Sequence, residues 1–285
     1  MEARDWSAVP RLISRNFFSH RVSKLSDSME RLMRILVLLP LAAALALTTA
    51  ARSQSGNFVV AQHGTPVGTA SFTVTALPNG YDSESQVSIK MDKLDYTLAK
   101  TEHLSRANRL RNVQLNASVN SKAVNVTAAP KPKTDPNPGV LLNITADGKT
   151  TNTALPMHPG AVFLPDFDPG ALETLLALGV AQNNRDLWAI IPKKAGSIEP
   201  VQLATFADEQ GTLDGKPIVV HHLVATIAGA PTDLFSGPEN QLLQAELPHQ
   251  GFALVRKNFV LTPPAKPGAP PADRASATPA APPAQ

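Results

Sequence analysis

The stretch that decides the fold runs from His158 to Lys193 and reads HPGAVFLPDFDPGALETLLALGVAQNNRDLWAIIPK. Within it, Asp168 followed by Pro169 is typical of a helix start, because an aspartate side chain accepts hydrogen bonds from free amides and proline suits the first helical position. Apolar residues then recur at helical spacing on one face, at Leu172, Leu175, Leu176 and Val180, with Leu178 extending it. The stretch therefore predicts one helix, whose apolar face must cover the strands on either side.

Most of the sequence from 56 to 262 reads as β-strands joined by turns. Gly68 to Leu77 alternates polar and apolar residues, and Asp147-Gly148 predicts a tight two-residue hairpin turn. The part before the helix predicts about eight strands in meander order. We therefore predict a mainly β (α+β) fold, a curved antiparallel sheet or half-barrel of roughly a dozen strands, with one central helix packed on its concave face.

The two ends of the chain differ from the middle in composition. Residues 29–51 combine a short basic segment, an apolar run from 35 to 47 broken by Pro40, and small residues at the end, which is typical of a cleavable signal peptide. For residues 1–28 we predict either that translation begins at Met29, the interpretation we favour, or that the signal peptide has an extended start, and a mitochondrial-type presequence is the alternative. Residues 52–262 are predicted to be a single β-rich domain, and the Pro/Ala-rich residues 263–285 a disordered tail.

The signal peptide predicts a periplasmic or secreted protein. Its apolar run is shorter than the ~20 residues that a membrane-spanning helix needs, so no span is expected after cleavage. The first 51 residues hold seven of the 26 basic and four of the 23 acidic residues, which leaves 19 of each sign in the remainder. This balance gives no indication of nucleic-acid binding. The chain has no cysteine, which excludes disulfides and thiol catalysis.

No motif of the sequence predicts a cofactor or a metal site. Walker A and Gly-x-Gly-x-x-Gly elements are missing, and His221 and His222 are adjacent in a strand, so their side chains point to opposite faces. Asp166 and Asp168 flank Phe167 like a pair of catalytic carboxylates, but Asp168 occupies the expected helix cap. We assign no catalytic residue, and His221, His222 and Asp166 remain the candidates for a hydrolase site.

The large apolar side chains are densest around the predicted helix. They are candidates for ligand binding: Phe163, Phe167, Leu172, Leu175, Leu176 and Trp188. Two interpretations stay open. The helix either packs over the sheet as ordinary core, or it forms a lid over a groove for a lipid or another apolar ligand.

The opening of the mature chain carries a resemblance. The segment 58–64 (FVVAQHG) with Val67-Gly68, followed by long amphipathic strands, resembles the uncharacterised periplasmic β-proteins of the DUF3108 type, over residues 56–262. That family is similar in architecture to the half-barrel of the lipoprotein carriers LolA and LolB. The resemblance implies no catalytic residues, and this chain lacks the lipid-modified cysteine and the N-terminal helix of LolB-like members.

These observations predict an exported cell-envelope protein that binds a lipid-like apolar ligand or a partner protein and is not an enzyme. A hydrolase with a His/Asp site is one alternative. The other is a structural envelope module without a ligand, with the proline-rich tail as its tether.

Overall fold

A computed structural model describes residues 53–193 and 195–263. The predicted upstream segment, the signal peptide and almost all of the proline-rich tail lie outside the described residues. Within the described ranges, no helix is long and apolar enough to cross a membrane.

The described chain is mainly β, with seventeen strands in one sheet and a single α-helix. The strands before the helix are β1 (Gln54–Gln62), β2 (Thr65–Leu77), β3 (Gly80–Met91), β4 (Leu94–Ser105), β5 (Leu110–Val119), β6 (Lys122–Pro130), β7 (Gly139–Ala146), β8 (Lys149–Pro156) and β9 (Gly160–Phe163). Helix α1 (Pro169–Ala181) is followed by β10 (Leu187–Ile191), β11 (Ser197–Thr205), β12 (Glu209–Leu213), β13 (Lys216–Ile227), β14 (Ala230–Ser236), β15 (Leu242–Leu247), a 3-10 turn (Pro248–Gln250), β16 (Phe252–Arg256) and β17 (Phe259–Leu261).

Strands β1 to β8 pair in chain order as an antiparallel meander, as predicted. On its other edge β1 pairs with β16, and the sheet continues through β15, β14, β13, β11 and β10 to β9. The result is a large, open and curved sheet.

The prediction of an antiparallel sheet of roughly a dozen strands is incorrect in two details. The sheet has seventeen strands, and it is mixed, because β9 runs parallel to β10 with Gly160 opposite Leu187. A parallel pair needs a crossover, and α1 supplies it. The additional strands are short: β9 has four residues, and a turn at Lys257 and Asn258 separates β16 from β17, which has three.

Helix α1 lies inside the curve of the sheet. It packs against three groups of strands: β2 and β3, β15, and β9 and β10. These groups are far apart in the strand order of the sheet. Its burial is therefore nearly complete, and Leu172, Leu175, Leu176 and Leu178 are at most 6% exposed. The predicted one-sided apolar stripe is wrong, because the sheet encloses the helix on several sides while Val180 is 58% exposed.

The predicted helix start is confirmed. The Asp168 side chain accepts hydrogen bonds from the backbone N–H of Gly170 at 2.9 Å and of Ala171 at 3.2 Å. Gly170 also permits a close approach to β3, since a Cβ at this position would lie 2.4 Å from the Ser85 Oγ. The first turn of the helix is thus capped by Asp168 and packed closely against β3.

Replacing Leu175 with alanine should lower the free energy of unfolding by about 2–5 kcal/mol, because the side chain is 1% exposed and its removal leaves a cavity between helix and sheet. The matched control is Val180→Ala, at an exposed position of the last turn, for which we expect a change within about 0.5 kcal/mol. Urea denaturation followed by circular dichroism measures both, and equal costs for the two variants would contradict the position of the helix.

Candidate functional site

The loop of residues 164–168, between β9 and α1, is fixed at both ends and in the middle. The Leu164 backbone N–H donates to the Ile190 carbonyl at 2.9 Å, and the Tyr96 hydroxyl donates to the Asp166 carbonyl at 3.2 Å. The Asp166 carboxylate pairs with the Lys193 ammonium at 2.8 Å. These contacts hold the loop between the end of β4 and the end of β10.

Phe167 is the strained residue of this loop. Its φ of 57° is uncommon for an aromatic residue and costs of order 1–3 kcal/mol, which the surrounding contacts must supply. The ring packs edge-on to Tyr96, with centroids 5.8 Å apart, and at 4.8 Å from Phe252. Burial, followed by the nearby charges of Asp166 and Asp168, raises the pKa of Tyr96, so its hydroxyl stays a donor.

A cavity of about 620 Å³ opens beside this loop and the first turn of α1. Its apolar lining comes from the loop, the helix and the strands that follow the helix in the chain: Leu164, Pro165, Phe167, Leu172, Ile191, Ile227, Leu247 and Leu254. The volume falls in the range of roughly 300–1,000 Å³ that is common for small-molecule sites. We call this space the loop cavity.

The loop cavity has a polar rim formed by Asp166 and Lys193, whose side chains are 37% and 56% exposed. A smaller cavity of about 310 Å³ lies between the same loop and the inner side of β4 to β7, with Leu98, Leu115 and Ile144 in its walls. Pro165, Asp166 and Lys193 line both spaces. The Asp166–Lys193 ion pair therefore lies between the loop cavity and this smaller apolar cavity.

A larger depression, of about 1,060 Å³, lies elsewhere on the described part of the chain. It lies on the solvent-facing side of β1 to β6 and is lined mainly by short neutral side chains such as Ser71, Ser88, Asn116 and Ser118. Such side chains hydrogen-bond water well, and the lining as a whole is less apolar than that of the loop cavity. We therefore regard the smaller loop cavity as the better candidate for an apolar ligand.

A second feature near the loop is a buried group of charges. Lys100 and Glu102 on β4 and Asp168 at the helix start have side chains at most 1% exposed, and the Lys100 Nζ lies 3.0 Å from the Glu102 Oε2 and 2.7 Å from the Asp168 Oδ2. Burial lowers the pKa of Lys100, but the charges of Asp168 and Glu102 outweigh it and raise this pKa overall. Burial raises the pKa of Glu102, and Lys100 offsets that only in part. We call these three residues the buried triad.

Glu173, on the second turn of α1, is a further buried acid at 5% exposure. Its carboxylate accepts a hydrogen bond from the Leu242 N–H at 2.7 Å and another from the Gln54 side chain. Burial raises the pKa of Glu173 to about 7, despite the opposing effects of the Leu242 N–H and of Arg256.

The six predicted ligand-binding residues are divided by the structure. Phe167 and Leu172 line the loop cavity, whereas Phe163, Leu175 and Leu176 lie in the packed core. Trp188 is half-buried and stacks on His158, with ring centroids 3.7 Å apart. The cavity is therefore at the N-terminal end of the helix, and the middle of the helix is core.

The histidines of the hydrolase alternative have carboxylate partners other than Asp166. His221 contacts Asp208 at 2.9 Å near the surface. His222 contacts Asp233 through Nε2 at 2.9 Å and Glu209 through Nδ1 at 3.3 Å. Asp166 itself pairs with Lys193, so the pairing of a histidine with Asp166 on which the hydrolase alternative depends is not formed.

The structure adds residues that the sequence interpretation missed. Tyr96, Leu98 and Leu104 alternate on the buried face of β4, so the same period of two places Lys100 and Glu102 on that face. This signal was present in the sequence. Lys193, Ile227 and Leu254 gave no comparable signal, because only the curvature of the sheet brings them to one cavity. Among the described residues, no group of three or more His, Asp or Glu side chains is arranged to hold a metal ion.

Comparison of the chain with models of known protein families, with curated proteins and with solved structures returned no match. The resemblance to DUF3108-type proteins therefore stays a prediction, and the site has to be interpreted from its own geometry.

The raised pKa of Glu173 predicts a pH dependence of stability. In the unfolded chain this carboxyl ionises near 4.5, and in the folded chain near 7, so rising pH favours the unfolded state across that window. Glu173→Gln should remove this pH dependence. The unfolding free energy of the variant minus that of the native protein should therefore increase by about 3 kcal/mol between pH 4 and pH 8. Urea titrations at several pH values measure this difference.

Glu84→Gln, at an exposed position of β3, is the surface control for the loss of a carboxylate. If the Glu173→Gln and Glu84→Gln proteins show the same pH profile relative to native protein, the buried environment assigned to Glu173 is incorrect.

Proposed function

We propose that this protein binds an apolar, lipid-like ligand in the loop cavity and has no catalytic activity of its own. The observation that carries the proposal is the cavity of about 620 Å³, whose walls are formed mainly by apolar side chains from three separate parts of the fold. Burial of an apolar ligand there is favourable by roughly 25 cal/mol for each Å² of apolar surface removed from water.

The chemistry of the cavity also supports binding rather than catalysis. Its charged rim is an Asp166–Lys193 ion pair, in which each group already neutralises the other. No histidine lines it, and within the described chain His221 and His222 are engaged by other carboxylates. Asp168, the other acid of the lining, is engaged by the helix amides and by Lys100, so the site provides shape and apolar area rather than a free acid, base or nucleophile.

Export to the periplasm or the exterior belongs to the same proposal and depends on the signal-peptide pattern of residues 29–51. An envelope protein with an apolar cavity can shield a ligand that water does not dissolve. A cell-envelope partner that delivers or receives the ligand fits this role.

Ala230→Trp should reduce ligand binding, because Ala230 is an exposed residue that lines the loop cavity and an indole there takes up part of its volume. Titration with the neutral fluorescent probe N-phenylnaphthylamine should show affinity lower by about tenfold or more than for native protein. The matched control is Ala204→Trp, at an exposed position of β11 that does not line the cavity.

Native mass spectrometry of protein prepared without denaturation gives a second measurement. We expect an apolar small molecule that co-purifies with native protein and is depleted in Ala230→Trp. Protein that is empty in every preparation and binds the probe no better than Ala230→Trp would exclude the binding function and leave the structural module.

A further inference from the structure

Ion pairing alone does not explain how the three side chains of the buried triad are arranged. Lys100 and Glu102 lie two residues apart on the inner face of β4, and the Lys100 amine is directed at the carboxylate that caps α1. The 2.7 Å approach of Nζ to the Asp168 Oδ2 is not aligned as a hydrogen bond. An amine is thus held against a carboxyl group, at a site that solvent does not reach.

Two conditions normally prevent an amine and a carboxyl group from condensing in water. Both groups are charged, and solvent competes for each of them. Here burial opposes charge on both groups, although Asp168 and Glu102 raise the pKa of Lys100 overall, so the step needs a proton acceptor beside the amine. The fold also holds the reacting groups at contact distance, which is worth several orders of magnitude in rate for an intramolecular step. The site therefore resembles an assembled reaction centre.

We propose that Lys100 and Asp168 join spontaneously through an intramolecular amide bond, with Glu102 as the proton carrier. Glu102 accepts a proton from the Lys100 ammonium, and the neutral Nζ then attacks the Asp168 Cγ. The Nζ–Cγ bond forms, and Glu102 passes the first proton to Oδ2 and then carries a second proton from the bound nitrogen to the same oxygen. The Cγ–Oδ2 bond breaks, Oδ2 leaves as water with these two protons, and Glu102 returns to its carboxylate form. No oxidant, reductant or external group is needed.

The helix start assists this step. The Asp168 Oδ1 accepts hydrogen bonds from the N–H groups of Gly170 and Ala171, at 2.9 and 3.2 Å. Negative charge develops on this oxygen when the amine attacks, and two backbone donors placed there stabilise it. Oδ1 remains as the carbonyl oxygen of the new amide, so the helix cap survives the reaction.

The other groups around the triad suit the proton transfers. One oxygen of Glu102 contacts the Lys100 Nζ, while its Oε1 is buried and has no hydrogen-bond partner within the described structure. The buried hydroxyls of Ser83 and Ser85 stand opposite Glu102 and Lys100 across the β3–β4 pair and are also without partners there. They can hydrogen-bond the released water.

The bond would tie the middle of the meander to the start of the helix. It closes a loop between positions 100 and 168, and a long-range cross-link of this kind restricts the unfolded chain. Because the chain has no cysteine, disulfides cannot supply such a link.

Mass spectrometry of the purified, denatured and trypsin-digested protein tests the proposal. A modified Lys100 is not cleaved, so residues 94–106 should appear joined to residues 150–185, at a mass lower than the sum of the two peptides by one water. Two separate sets of peptides with unaltered masses, including cleavage after Lys100, would overturn the proposal and leave a non-covalent ion cluster.

Three variants define the chemistry. Glu102→Gln keeps the size of the side chain but carries no proton between the groups, and Lys100→Arg has no amine of the required kind, so the joined peptide should be lost in both. Asp168→Asn should yield the same joined peptide as the native protein, since ammonia then leaves in place of water. Glu84→Gln is the control that retains the bond, and persistence of the joined peptide in Lys100→Arg would contradict the assignment.

Discussion

A helix that begins inside a protein core needs partners for its free backbone amides, and this requirement shapes the centre of the molecule. In α1 the Asp168 carboxylate satisfies two of those amides. A carboxylate at this depth needs a counter-charge, which Lys100 supplies from β4. Lys100 in turn lies against Glu102, and the short hydroxyl residues Ser83 and Ser85 of β3 surround the group.

The same constraint explains where the protein is packed and where it is open. The capped end of α1 is fixed to β3 and β4, and the middle of the helix fills the curve of the sheet with leucine side chains at most 6% exposed. Beside the first turn, the chain must pass from β9 into the helix through a loop that contains a residue with positive φ, Phe167. That loop cannot fill all the space between the two halves of the sheet, and the loop cavity is the result.

The sequence predicted the features that local rules control. The Asp168 cap and the tight turn at Asp147-Gly148 follow from side-chain chemistry and from backbone preference, and both turn residues have the expected positive φ angles. The parallel β9–β10 pair and the burial of α1 on several sides could not be predicted in this way, because they depend on the curvature of the whole sheet. Lys100 and Glu102 are an intermediate case, since alternation on β4 places them inward but charged residues are ordinarily assigned to the solvent.

The two ends of the loop of residues 164–168 differ in how firmly they are held, and this difference determines how a ligand can enter. At the helix end, Asp168 is fully buried among charges, so its displacement would leave Lys100 without its closest partner. At the other end, the Asp166–Lys193 pair is exposed to solvent, where an ion pair contributes only about 0–1 kcal/mol. Opening the rim at Asp166 therefore costs little and leaves the helix cap intact, and it connects solvent with both apolar cavities that the pair lines.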